Sequence, residues 1–213
     1  MNDELLEQYI LNHIDDEGDY LRKVNRDTHV QLLKPRMCSG HLQGRILKML
    51  CQLVQPRYIL ELGTFSGYSA LCMAEALAED PLAELHTIDI DDEIEEFTSS
   101  NFENSEYADK IHFHIGDAMD IIPTIDRMFD VVFIDANKRI YSEYYDLIFD
   151  KVRKGGLIIA DNTLWDGKVV QDPLPRDAQS MGILSFNDKI AADERVEKVI
   201  LPLRDGMTLI RKK

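Results

Sequence analysis

Asp135-Ala136-Asn137-Lys138 and Asp161-Asn162 each follow an uninterrupted apolar run, VVFI (131–134) and LIIA (157–160) respectively. Two carboxylates and an amide oxygen make a hard oxygen donor set, suited to Mg²⁺, Ca²⁺ or Mn²⁺ rather than zinc. Lys138 stands three residues past Asp135, and a divalent charge beside it would favour the free amine, a base. Asp89 lies 22 residues after Gly67, where doubly wound nucleoside binders place a carboxylate to accept from two ribose hydroxyls. Gly116-Asp117-Ala118 is a turn positioned to cover an adenine edge, and Asp117 is equally a good helix N-cap. The string Glu61-Leu62-Gly63-Thr64-Phe65-Ser66-Gly67 supplies glycines where a chain must turn sharply and let a ligand approach its backbone. Its GxxxG spacing is not the GxGxxG of dinucleotide binding, the phosphate loop GxxxxGK[ST] or the nucleophile elbow GxSxG. A diphosphate grip is disfavoured and a serine hydrolase is excluded. Any one of these acids could simply cap the next helix; four such positions in one chain point to a shared site.

Those residues need elements that bring them together. From residue 58 onward the pattern alternates strand and helix. Strands are predicted at 58–62, 84–90, 110–115, 129–135 and 156–161, with helices at 68–79, 91–103, 117–122 and 141–153. Such alternation builds a parallel sheet with helices on both faces, and ligands bind beyond the C-terminal strand ends. A helix at 178–192 follows, then segments 196–203 and 207–211 flank Asp205-Gly206, a hairpin signal. Before residue 58, 2–16 reads as an amphipathic helix with Leu5, Leu6, Tyr9, Ile10 and His13 at helical spacing, 19–34 is a charged segment ending at Pro35, and a further helix at about 40–55 stops before Pro56. His112 and His114 fall on the opposite face from Ile111, Phe113 and Ile115, and a structural or exposed role is expected for them.

Composition sets the outer limits. The 213 residues suit one domain, and 45% hydrophobic with 30% charged residues excludes a disordered or collagen-like chain. A formal charge of −15 argues against a broad grip on phosphate backbones or anionic lipid. Cys38, Cys51 and Cys72 sit apart among apolar residues and are expected to be reduced core thiols in a cytoplasmic protein. No CxxC or HExxH pair offers a zinc site, and the acidic N-terminus reads as neither signal peptide nor membrane anchor.

Taken in order, PRM (35–37), ILELGTFSGYSALCMAEAL (59–77), TIDID (87–91), GDA (116–118), FDVVFIDANK (129–138), GGLIIADNTLWDGKVV (155–170) and LPLRDGMTLIRK (201–212) make the chain resemble the cation-dependent O-methyltransferases. That group uses S-adenosylmethionine and includes the caffeoyl-CoA and catechol enzymes and their bacterial relatives. The resemblance implies a Rossmann-like α/β fold: a doubly wound seven-stranded sheet, mostly parallel, ending in an antiparallel hairpin. It implies one methyltransferase domain over 1–213, with 1–55 as a helical cover and dimer or lid region and 56–213 as the cofactor-binding core. By motif, Glu61, Gly63 and Ser69 would line the methionine end of the cofactor, with Met37 over the same pocket. Asp89 would hold the ribose, and Asp117 with Ala118 the adenine. Asp135, Asp161 and Asn162 would be metal ligands, Asp135 also close to the cofactor, and Lys138 the catalytic base. Many relatives carry a second Asp where this chain has Asn137.

The mechanism implied is in-line displacement. A cation chelates two adjacent oxygens of the acceptor and lowers the pKa of one, which attacks the sulfonium methyl as Lys138 takes or guides the proton. The expected acceptor is a small catechol-like or phenolic molecule, with Trp165 and Tyr141 as candidate aromatic walls. The alternative acceptor is a hydroxylated uridine of tRNA, for which Lys34, Arg36, Lys168 and Arg176 could form a local basic rim. A dimeric sensor that binds the cofactor without catalysis is the remaining reading. A homodimer is expected from the apolar N-terminal helix face, and no membrane partner is expected.

Overall fold

The computed structural model describes residues 3–77 and 80–213. Seven strands form one sheet: β1 (Tyr58–Leu62), β2 (Glu84–Asp89), β3 (Ile111–Ile115), β4 (Phe129–Ile134), β5 (Val152–Asp161), β6 (Val196–Leu201) and β7 (Met207–Lys212). Their order is β3-β2-β1-β4-β5-β7-β6. β1 to β5 pair in parallel, and β7 runs antiparallel between β5 and β6. The order reverses between β1 and β4, which places a crevice where ligands of such sheets bind. The sequence-derived fold class holds.

Among the described residues the α-helices are α1 (Asp3–Leu11), α2 (Gly18–Gln31), α3 (Gly40–Val54), α4 (Tyr68–Ala74), α5 (Glu95–Glu103), α6 (Ala118–Ile121), α7 (Tyr141–Phe149) and α8 (Ala178–Ala192). Strand alternation splits the apolar side chains into two cores. Leu60, Val132, Ile134 and Ile158 pack with Tyr141, Tyr145 and Phe186 from α7 and α8. Ile59, Val131, Phe133 and Ile159 pack with Leu71 of α4, Leu47 and Cys51 of α3 and Leu21 and Val24 of α2. Each such side chain, fully buried, contributes about 1.5–3 kcal/mol. Every residue of α4 is buried, because α2 and α3 cover its outer side. All three cysteines are buried and unbridged.

Several boundaries move for physical reasons. The helix expected over 141–153 ends at Phe149, and β5 begins at Val152 rather than 156, because Val152 pairs with Phe129 across a register shift. The stretch expected to be helical from 91 opens as a 3-10 turn at Asp92–Ile94, where the Asp91 side chain accepts the Glu93 N–H. Asp117 lies outside α6 as its N-cap, accepting from the Met119 N–H. The first helix stops at Leu11, short of 16, and Leu5 and Tyr9 are 68% and 60% exposed. The helix expected over 68–79 ends as α-helix at Ala74 and tightens to a 3-10 turn at Glu75–Leu77; residues 78–79, and the expected start of the first helix at Asn2, lie outside the described residues. No described helix is long and apolar enough to cross a membrane.

Candidate active site

The C-terminal strand ends open into a cavity of about 1000 Å³. That volume is at the upper end of the range for small-molecule sites. Met37, Gly63, Ser69, Asp89, Asp117, Ala118, Asp135, Lys138, Asp161 and Asn162 all line it. Of the residues expected to bind cofactor or metal or to act in catalysis, Glu61 alone does not; it is fully buried beneath the floor.

β1 delivers Glu61 and then turns. Gly63 has φ +94°, and a Cβ there would stand 2.2 Å from the Asp135 carbonyl oxygen, so the ends of β1 and β4 approach in a way only glycine permits. Beneath this turn a polar chain runs inward. Ser69 Oγ donates to Glu61 Oε1 at 2.5 Å and Thr87 Oγ1 to Oε2 at 2.6 Å, while Thr64 lies 2.6 Å from Thr87. Burial pushes the Glu61 carboxyl up to about 8 despite those two hydroxyls, and the charges of Asp135 and Asp89 add to the rise.

Asp89 ends β2 and accepts the Phe65 N–H at 2.8 Å on one oxygen and the Asp91 N–H at 3.0 Å on the other. These contacts fix the carboxylate on the cavity rim and leave each oxygen a lone pair for a hydroxyl. The Gly116 N–H donates to the Asp89 carbonyl at 2.8 Å, which ties the turn after β3 to the end of β2.

Asp135 and Asp161 follow the register pair Ile134 and Ala160, so the tips of β4 and β5 set them side by side. Lys138 Nζ donates to Asp135 Oδ1 at 2.5 Å and lies 5.5 Å from the Tyr141 ring centre. Asp161 is 5% exposed. Its Oδ2 accepts the Gln43 amide at 2.7 Å and its Oδ1 the Asn162 N–H at 2.8 Å. Burial, and then the Asp135 charge, push its carboxyl up to about 6. Asn162 adopts φ +58°, a left-handed conformation that asparagine tolerates, and lies on the cavity wall. Two crowded carboxylates and an amide, with neutral donors on Asp161, form a donor set that a hard cation would relieve. The residues fit one.

Asn137 caps the turn at Lys138–Ile140 by accepting the Arg139 N–H at 3.2 Å. An aspartate could fill that capping role equally well. Trp165 lines the cavity, its Nε1 donating to Ser180 Oγ at 3.1 Å. Tyr141 does not. It is fully buried under the strand tips, its hydroxyl donating to the carbonyls of Ile134 and Asp161, and Tyr144 lines the wall instead.

Two further residues were absent from the sequence reading. Gln43 lies on the buried stripe of α3 with Leu47 and Cys51, and a polar residue at that spacing was its one signal. Arg204 donates to Gln43 Oε1 at 2.9 Å and to the carbonyls of Cys38, Ser39 and Arg36. One guanidinium thus secures the turn that carries Met37 and orients the amide that holds Asp161. Its position in the loop before β7, far along the chain, gave no local clue.

A family model described as O-methyltransferase matches residues 12–213. Caffeoyl-CoA O-methyltransferase 1 of Eucalyptus globulus is 36% identical over 189 residues, covering 83% of this chain and 75% of that protein. Tricin synthase 2 of Oryza sativa subsp. japonica is 32% identical over all of this chain and 76% of its own length. Among solved structures, the O-methyltransferase of tomaymycin synthesis from Streptomyces achromogenes, in complex with S-adenosylmethionine, superposes with a TM-score of 0.92 at 31% identity over 100% and 99% of the two chains. An O-methyltransferase from Bacillus cereus bound to S-adenosylhomocysteine gives 0.90 at 28% identity over 98% and 97%.

Proposed function

The chain belongs to the O-methyltransferase family, and from that premise we propose that it moves the methyl group of S-adenosylmethionine onto one hydroxyl of a small catechol-like or phenolic acceptor held by a divalent cation. The observation that carries this reading is the meeting of Asp135, Asp161 and Asn162 with Lys138 in the cavity that Asp89 and Asp117 also rim. Asp89 would accept from the ribose hydroxyls, and Gly116 to Ala118 would cover the adenine. Ser69, Gly63 and Met37 would surround the methionine portion, with Glu61 acting through Ser69 from beneath.

Asp135, Asp161 and Asn162 would hold Mg²⁺, Ca²⁺ or Mn²⁺. Such an ion supplies Lewis acidity that lowers the pKa of a bound hydroxyl. Lys138 would take the acceptor's proton at Nζ, a step that general bases accelerate by roughly 10²–10⁴-fold. Asp135 positions that amine, and the acidic strand tips favour a cationic sulfonium over its neutral product. Trp165 and Tyr144 wall the space left for a planar acceptor. We further propose that residues 1–213 form one domain and that the exposed Leu5, Leu6 and Tyr9 face of α1 pairs with a second copy of the chain.

Incubated with S-adenosylmethionine, Mg²⁺ and a catechol, the protein should place one methyl group on the acceptor, and EDTA should abolish turnover. Asp161→Ala should lower the rate about 100-fold or more while S-adenosylhomocysteine affinity by calorimetry stays within roughly threefold. Full activity in EDTA would remove the cation from the mechanism.

A further inference from the structure

Away from the cavity, β2 and β3 carry a second cluster of ligating side chains. Glu84 and His86 alternate onto one face of β2, and the parallel register sets His86 opposite His112 and His114 one step further along β3. The His86 ring stacks on His112 at 4.7 Å and on His114 at 5.4 Å. One ligand atom each from Glu84, His86 and His112 lies within 4.8 Å of the others, the one such trio of His, Cys, Asp or Glu among the described residues. None of the four residues lines the active-site cavity.

We propose that Glu84, His86 and His112 form a second metal site, for a zinc-type divalent ion. Two imidazoles and a carboxylate are the mixed nitrogen and oxygen set such ions take, unlike the all-oxygen set at the tips of β4 and β5. His86 Nε2 and Glu84 Oε2 stand 3.4 Å apart. A tetrahedral ion with bonds of about 2.0–2.1 Å separates two ligand atoms by about 3.3 Å. A metal on Nε2 keeps the His86 proton on Nδ1, from which it donates to His114 Nε2 at 3.1 Å. Ligating histidines commonly use such a contact to fix ring orientation. His112 is exposed, so an ion can enter from solvent and keep a water as its fourth ligand.

Arg127 is the competing cation. Its Nε donates to Glu84 Oε2 at 3.0 Å and its Nη2 to Oε1 at 3.2 Å, so an arriving ion must take Oε2 from it. The Arg127 side chain is 40% exposed and can turn out to water. Once filled, the site joins the edge strand β3 to β2, the two strands that lead to Asp117 and Asp89.

The test titrates EDTA-stripped, full-length protein with Zn²⁺ by calorimetry, with Mg²⁺ saturating the oxygen site. Wild type and Asp161→Ala should bind a single Zn²⁺ with similar affinity. His112→Asn and Glu84→Gln, whose side chains lie outside the catalytic cavity, should weaken it by roughly 100-fold and leave methyl transfer unchanged. Zinc should raise the melting temperature of wild type and not of His112→Asn. An isotherm unaltered by both His112→Asn and Glu84→Gln overturns the proposal. So does one abolished by Asp161→Ala, which would put the ion at the strand tips, or a wild type that takes up no zinc.

Discussion

Glu61 is a fully buried carboxyl, held by two hydroxyls and pushed by burial up to about 8. Its ordinary value is 4.5, so between those limits the folded chain keeps a proton that the unfolded chain releases. Stability from this group is therefore complete below pH 4.5 and falls as pH rises towards 8, by at most about 1.4 kcal/mol per pH unit. Glu61→Gln should remove that slope. Thermal melts from pH 5 to 8 should show wild type losing stability faster than the variant, and parallel curves would assign the slope elsewhere. Asp161, raised to about 6, is present in both proteins and cancels in the comparison.

At the scale of elements, the close pass of β1 and β4 makes the sharpest demand. Gly63→Ala would put a methyl group 2.2 Å from the Asp135 carbonyl at a φ of +94°. Denaturant unfolding should register a loss of about 2 kcal/mol or more, and cofactor affinity should fall as the tips part. The strands around this pass were legible because β4 carries the unbroken run VVFI (131–134) and β5 carries LIIA (157–160), and Asp89, Asp135 and Asp161 fell at or just past strand ends as their spacing implied. The start of β5 was not, since Val152 joins the sheet through Phe129, a pairing that no local pattern announces. Tyr141 looked like a wall because aromatics near a site suggest stacking, yet its hydroxyl serves two carbonyls inside the core. Gln43 and Arg204 were invisible for a related reason: their bonds span 118 and 161 residues of sequence, beyond the reach of periodicity or motif.

Across the whole molecule, the N-terminal helices and the sheet share one core, with Leu21, Val24, Leu47 and Cys51 packed against α4 and the strands. Unfolding should therefore be a single transition, with circular dichroism and Tyr or Trp fluorescence coincident; separate midpoints would divide the chain near residue 56. The Arg204 fork adds a temporal consequence. It reaches back to the carbonyls at 36, 38 and 39 and, through Gln43, to Asp161. A nascent chain halted before residue 204 lacks β7, the one partner of β6, so it can pair five strands, β1 to β5, while still lacking the clasp that seats Met37 and steadies Asp161. Competence would then arrive late in synthesis, so that a partly made enzyme cannot consume its methyl donor.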